Sequence, residues 1–99
     1  MWVKSFHAPG KVSPPEALSL SSSCVRLEPG QRVGEHDTGV REEMIFVLEG
    51  IATLVAGGAS EIVPPGHAAY VPPNTRHDVA NNAHFPLAYV YVTARTAPK

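Results

Sequence analysis

The chain has 99 residues, of which 43% are hydrophobic and 17% charged, a composition typical of one small globular domain. Its formal net charge of −1 excludes the broad basic surface with which proteins attract nucleic acid or hold an anionic membrane. Nowhere do about twenty apolar residues stand together, so no transmembrane helix is expected. Cys24 is the single cysteine and no apolar leader stands near the N-terminus, which together favour the cytoplasm.

The first part of the chain predicts an extended arm, and the remainder predicts a barrel of short strands. Residues 1–16 contain four turn-forming residues, Pro9, Gly10, Pro14 and Pro15, and are interpreted as the arm. Across the chain, ten prolines and eight glycines separate short apolar runs, a pattern typical of an all-β sandwich or barrel. Residues 17–97 are interpreted as that barrel, in the same domain as the arm.

The predicted strands follow one another between turns. In chain order they cover 18–27, 43–48, 51–56, 61–63, 68–71, 77–80 and 87–94. The pair Gly57-Gly58 predicts a hairpin turn between two of them. In the last strand, Tyr89 and Tyr91 are expected on one face and Val90 on the other, because successive side chains alternate.

Two stretches of sequence resemble the two conserved motifs of the cupin superfamily. Residues 29–50 read PGQRVGEHDTGVREEMIFVLEG, and the fixed positions of the first motif fall on Gly30, His36, Thr38, Glu43 and Gly50. The fixed positions of the second motif fall on Gly66, Pro72, Asn74, His77 and Asn81. The resemblance implies a single-domain all-β fold, the cupin double-stranded β-helix or jelly-roll barrel.

The resemblance also implies a metal site. In the family, two histidines and a glutamate of the first motif and the histidine of the second bind one divalent ion. Carried over, this gives His36, Glu43 and His77 as ligands of one divalent metal ion, with iron, manganese, nickel and zinc all compatible. Thr38 stands where the family has its second histidine, so open positions remain on the ion. Asp37 is beside this position, but strand alternation is expected to turn it away.

The second departure from the motifs concerns a turn. Asn74 replaces a glycine, and asparagine is the residue next most tolerant of the left-handed backbone region. The turn is therefore expected to persist. Asn81 is interpreted as structural, and His7, His67 and His84 as surface residues.

Several further side chains are candidates for the pocket around the metal. They are Thr38, Ile45, Val47, Tyr89, Tyr91, Arg41 and Arg76. The two aliphatic residues share the strand parity of Glu43 and would form apolar walls. The tyrosines could contribute hydroxyl groups, with simple packing as the alternative. The arginines could fix an anionic substrate at the rim, with solvated surface as the alternative.

Two functions remain open on this sequence. The first is a metal-dependent enzyme acting on a small molecule, dioxygenase- or isomerase-like. The alternative is a non-catalytic cupin that binds a small ligand and has a degenerate metal site. A homodimer is expected in either case, because a chain of 10.6 kDa has a small core and two-fold dimers are the commonest way to enlarge it. Met44, Phe46 and Leu48, on the face opposite Glu43, are expected to be covered by the partner or the arm.

Overall fold

The computed structural model describes Met1, residues 11–14 and residues 17–96. In this part of the chain we find nine β-strands and no helix that could cross a membrane. In chain order the strands are β1 (Lys11–Val12), β2 (Leu20–Leu27), β3 (His36–Asp37), β4 (Arg41–Glu49), β5 (Ala52–Ala56), β6 (Ala59–Val63), β7 (Ala68–Val71), β8 (Arg76–Ala80) and β9 (Leu87–Arg95). Most of the predicted arm, residues 2–10, 15 and 16, lies outside the described residues.

The strands form two antiparallel sheets with the hydrophobic core between them. One sheet has the order β1-β2-β9-β4-β7 and the other the order β3-β8-β5-β6. Ile45, Val47 and Leu87 of the first sheet pack in one cluster with Leu54 and Val79 of the second. Burial of apolar side chains from both sheets is the main favourable term in such a fold. The predicted all-β jelly-roll barrel is confirmed.

Strand β4 shows the predicted alternation. Glu43, Ile45 and Val47 are buried, whereas Phe46 and Leu48 on the opposite face are 40% and 55% exposed. The inner face of β4 therefore contributes both core and site residues. Its outer face stays apolar and is only partly covered in the monomer.

The structure differs from the sequence prediction mainly at strand ends and in two short strands. Strand β2 starts at Leu20 rather than residue 18, and β4 extends beyond the predicted 43–48 at both ends. Strands β1 and β3, of two residues each, were not predicted. A strand of two residues is too short to show alternation in the sequence. β1 and β3 form only because they pair with β2 and β8.

Two predicted turns have the expected backbone. Gly57 and Gly58 have φ of 58° and 80°, the pair of positive values that a two-residue type I′ hairpin between β5 and β6 requires. Asn74 has φ of 54°, the left-handed conformation expected of the residue that replaces glycine. Its N–H donates to the Gly39 carbonyl at 2.8 Å, which joins the turn before β8 to the turn before β4.

Candidate metal centre

The pairing of β3 with β8 brings two histidines together. His36 stands directly opposite His77 in the antiparallel register, and their ring centroids are 4.2 Å apart. Glu43 approaches from β4 in the other sheet, with its Oε2 atom 3.5 Å from Nε2 of His77. One nitrogen of each histidine and one oxygen of Glu43 all lie within 4.8 Å of one another. Three residues distant in the sequence thus converge from two sheets.

Main-chain carbonyls fix the tautomer of both histidines. Nδ1 of His36 lies 2.8 Å from the Gly34 carbonyl oxygen, and Nδ1 of His77 lies 3.0 Å from that of Thr75. A carbonyl oxygen only accepts hydrogen bonds, so each Nδ1 carries a proton and donates it. In the neutral rings, each Nε2 then presents a lone pair toward the cluster. This arrangement is typical of metal-ligating histidines.

His77 has a buried nitrogen that no described residue satisfies. Its side chain is 0% exposed, and its Nε2 has no hydrogen-bond partner among the described residues. The contact of 3.5 Å with Glu43 is too long for a good N–H···O hydrogen bond. A buried polar atom without a partner costs roughly 1–3 kcal/mol. A divalent cation between the imidazoles and the carboxylate would satisfy this atom, so the three residues fit such an ion.

The environment of Glu43 also favours a cation. The residue is 8% exposed, and burial raises the pKa of its carboxyl group above the ordinary value, against the opposing influence of His77 and His36. Burial raises a carboxyl pKa because the charged form loses its hydration. A nearby cation stabilises that charged form.

A cavity of about 370 Å³ is lined by His36 and Glu43, whereas His77 borders a separate cavity together with Glu35 and Arg76. Four of the predicted pocket residues line the 370 Å³ cavity, namely Thr38, Arg41, Tyr89 and Tyr91. Burial raises the pKa of the Tyr89 hydroxyl above its ordinary value, so this phenol stays protonated. Val25, Val33 and Val79, which we did not predict, give the cavity apolar walls.

Three predicted pocket residues do not line this cavity. Ile45 and Val47 lie deeper, in the hydrophobic core, where they stand opposite Tyr91 and Tyr89 on β9. The tyrosine rings therefore take the wall positions expected of the two aliphatic side chains. Arg76 neighbours His77 on β8 and pairs with Glu35 outside the cavity.

Thr38, at the position of the missing histidine, holds the backbone. Its hydroxyl donates to the Pro72 carbonyl at 2.7 Å and accepts from the Thr75 N–H at 3.0 Å. The side chain therefore anchors the turn that leads into β8 and His77. Asp37 borders the cavity, contrary to the alternation argument, because β3 ends there. Its Oδ1 accepts from the Gly39 N–H at 2.7 Å.

Asp78 is a site residue that the sequence reasoning missed. Its side chain is 3% exposed, and its two oxygens accept from Arg32 Nε at 2.6 Å and from the Gly34 N–H at 2.9 Å. Burial favours a raised pKa for Asp78, but the bonds from Arg32 and Gly34 outweigh it and lower the pKa. Since the Gly34 carbonyl accepts from His36, Asp78 holds the residue whose carbonyl orients a candidate ligand. No local pattern reveals this role.

Comparison with known proteins places the chain in a family. Residues 23–93 match the cupin domain family. A mannose-1-phosphate guanylyltransferase of Salmonella typhimurium is 27% identical over 73 residues, which are 74% of this chain and 15% of that protein. This chain therefore corresponds to a small part of that curated relative.

Solved structures give the same result. A cupin 2 conserved barrel domain protein from Salinispora arenicola is 28% identical, with a TM-score of 0.75 over 86% of this chain and 72% of that one. A sugar phosphate isomerase of the cupin superfamily from Silicibacter pomeroyi is 26% identical, with a TM-score of 0.69 over 80% of this chain and 52% of that one. With its jelly-roll barrel and both motifs, the chain belongs to the cupin superfamily.

Proposed function

We propose that this cupin is a metal-dependent enzyme that acts on a small molecule in the 370 Å³ cavity. The proposal assigns His36, Glu43 and His77 as the ligands of one divalent ion. The observation that carries it is the buried Nε2 of His77, which faces two other potential ligands and has no hydrogen-bond partner among the described residues.

The donor set also indicates the kind of chemistry. Two imidazoles and one carboxylate are the ligand set of many sites that leave positions open for substrate. A bound divalent ion supplies Lewis-acid polarisation of a substrate oxygen there, or oxygen chemistry if the ion is iron. Iron, manganese, nickel and zinc all suit these ligands. Thr38 is not a ligand in this proposal, since its hydroxyl is engaged with the main chain.

The other cavity residues orient the substrate and exclude water. The phenol of Tyr89 keeps its proton and can donate a hydrogen bond to a substrate oxygen. Val25, Val33 and Val79 cover the site with apolar surface. Apolar walls lower the local dielectric constant, which strengthens electrostatic interactions at the site.

Among the reaction classes, we favour an isomerase-like reaction over an oxygenase-like one. Two of the similar proteins are named for phosphorylated sugars, a mannose-1-phosphate guanylyltransferase and a sugar phosphate isomerase. A divalent ion is well suited to polarise the adjacent carbonyl and hydroxyl groups of a sugar.

One observation favours the alternative, a binding protein without turnover. Among the described residues that line the cavity, His36 and Glu43 are the proposed metal ligands. The Asp37 carboxylate accepts a hydrogen bond from the Gly39 N–H. No further carboxylate or imidazole of that lining is free to act as a base. Metal-dependent binding of a sugar phosphate without its conversion would support this alternative.

Replacing each proposed ligand tests the metal centre. His36→Ala, Glu43→Ala and His77→Ala are each expected to remove stoichiometric metal, because two ligands hold an ion poorly. His36 is exposed, so its replacement leaves the core intact. His84→Ala is the matched control, since this histidine is exposed and outside the cavity.

Metal content is measured by inductively coupled plasma mass spectrometry on untagged protein, and folding by circular dichroism. Wild type and His84→Ala should each hold one ion per chain. Folded variants of the three ligands that keep full metal content would overturn the assignment.

A further inference from the structure

Arg41 is a cation on the cavity that has no anionic partner among the described residues. Its side chain lines the cavity, and its Nη1 lies 3.5 Å from the Thr93 hydroxyl. The arginines that do form ion pairs with described residues are Arg26 with Glu28, Arg32 with Asp78 and Arg76 with Glu35. Arg41 forms no ion pair with any residue that the structure describes. A half-buried guanidinium of this kind is well placed to bind an anion from solution.

The alternation along β4 places Arg41 beside the candidate ligand Glu43 on the same face of the strand. Arg41 and Glu43 are two residues apart on β4 and share its inner face, about 6.6 Å apart along the strand. Thr93 stands directly opposite Glu43 on β9. The guanidinium, the Thr93 hydroxyl and two of the candidate ligands, His36 and Glu43, thus line the same cavity.

The charges of the cavity support an anionic ligand. Lys11 and Arg41 are positive, Asp37 and Glu43 are negative, and all four line the cavity. These charges cancel, so a bound divalent ion would give the cavity an excess of two positive charges. The carboxylate of Asp37 is turned to the Gly39 N–H, which leaves Arg41 free of it.

We propose that the natural ligand is a small organic anion that spans these two features. Its carboxylate or phosphate group binds the guanidinium of Arg41, next to the Thr93 hydroxyl. Another oxygen of the same molecule reaches the centre formed by His36, Glu43 and His77, so this inference rests on the proposed function. Arginine suits the role because its planar fork makes paired hydrogen bonds to carboxylate or phosphate. The cavity, at 370 Å³, lies at the small end of the range for ligand pockets, about 300–1,000 Å³.

Isothermal titration calorimetry on the metal-loaded protein tests the proposal with matched probes. Glucose 6-phosphate is compared with glucose, and malate with its neutral diamide. The first pair tests a phosphate group and the second a carboxylate, so the two arms separate the possible sources of the anion. We expect at least one anion to bind tenfold or more tightly than its neutral counterpart. Equal binding within both pairs, or no binding of either anion at millimolar concentration, would overturn the proposal.

Arg41→Gln should weaken binding of the preferred anion about tenfold to hundredfold, the effect expected for loss of a charged hydrogen-bonding partner. Arg41→Lys should recover part of it, since the charge remains and the fork is lost. The control is Arg76→Gln, which removes the same charge from the other side of β8 and should bind like wild type. Unchanged affinity of Arg41→Gln would overturn the role of Arg41.

Metal content of the same samples separates the two proposals. Arg41→Gln with full metal and unchanged anion affinity contradicts the anion subsite and leaves the metal centre standing. Wild-type protein that takes up no added divalent ion contradicts the metal centre itself, and with it the ligand that spans both.

Discussion

At the scale of single residues, hydrogen bonds from the main chain decide what the candidate ligands can do. His36 and His77 differ in exposure, yet each donates from Nδ1 to a carbonyl two residues before it in the chain. The same tautomer therefore arises in both rings, and both Nε2 atoms are available. Residues that hold those carbonyls in place are then as important to the site as the ligands.

Asp78 is the clearest of these supporting residues, and Asp78→Asn tests it. The variant keeps the size of the side chain but loses the charged hydrogen bond from Arg32 at 2.6 Å. We expect metal affinity to fall about tenfold to hundredfold, as for other partners behind metal ligands. We also expect the free energy of unfolding to fall by about 1–2 kcal/mol, since Arg32 is 64% exposed and can be solvated instead.

The control for Asp78→Asn is Glu35→Gln, which breaks the exposed pair with Arg76. Exposed pairs of this kind contribute about 0–1 kcal/mol, so both metal affinity and stability should stay near wild type. Urea denaturation and calorimetric metal titration measure the two quantities. If Asp78→Asn lowers stability and leaves metal affinity unchanged, Asp78 stabilises the fold without orienting His36.

At the scale of elements, the sequence predicts the features that depend only on residues close together in the chain. The alternation of Glu43, Ile45 and Val47 and the turn at Gly57-Gly58 are local features, and both agree with the structure. The candidate ligands came from the resemblance to the cupin motifs. By contrast, the placement of His36 opposite His77 depends on pairing between β3 and β8, which is not encoded by any single stretch.

The difference between local patterns and long-range contacts also explains which pocket residues were predicted incorrectly or missed. Ile45 and Val47 were predicted on the correct face of β4. They lie in the core rather than in the cavity wall, because the tyrosines opposite them on β9 form that wall. Arg41 and Arg76 were equivalent by sequence. In the structure they differ, because Arg41 lines the cavity from β4, whereas Arg76 lies on β8 outside that cavity and pairs with Glu35. The buried role of Asp78 requires contact with Arg32, 46 residues earlier.

Gly50 gives a test at the scale of elements, because it joins β4 to β5 where another segment passes very close. Its φ is 81°, and a Cβ there would lie 2.3 Å from the Pro86 carbonyl oxygen and 2.9 Å from the Leu87 Cα. We expect Gly50→Ala to lower the free energy of unfolding by more than 3 kcal/mol or to prevent folding, since main-chain atoms must shift.

Gly66→Ala is the matched control for the clash. Gly66 has φ of 75°, but a Cβ there would meet no atom within 4 Å. Its cost should be the backbone strain alone, about 1–2 kcal/mol. Equal losses of stability in the two variants, measured by urea denaturation, would show that the approach of Pro86 to Gly50 does not matter.

At the scale of the whole molecule, the five-stranded sheet leaves an apolar outer face. Phe46 stands opposite Val90, and Met44 opposite Val92, so these side chains form a continuous surface across β4 and β9. Phe46 and Leu48 are 40% and 55% exposed. Contiguous apolar surface of this kind is typical of an interface. We therefore propose the expected homodimer, with this face of each chain against the other.

Light scattering coupled to size-exclusion chromatography tests the dimer. Wild type should have twice the mass of one 10.6 kDa chain, and Phe46→Glu should be monomeric because the carboxylate would be desolvated at the interface. Ile62→Glu is the control, since Ile62 is 63% exposed on β6 in the other sheet and should leave the dimer intact. Monomeric wild type, or dissociation by Ile62→Glu alone, would contradict the proposed face.

The central claim is that His36, Glu43 and His77 bind one divalent ion inside the barrel, and anomalous diffraction tests it most directly. Crystals of protein loaded with manganese or zinc should show one anomalous peak bonded to Nε2 of both histidines and to a Glu43 oxygen, at about 2.0–2.2 Å for zinc. A peak elsewhere, or no peak at these residues in crystals grown with excess metal, would contradict it.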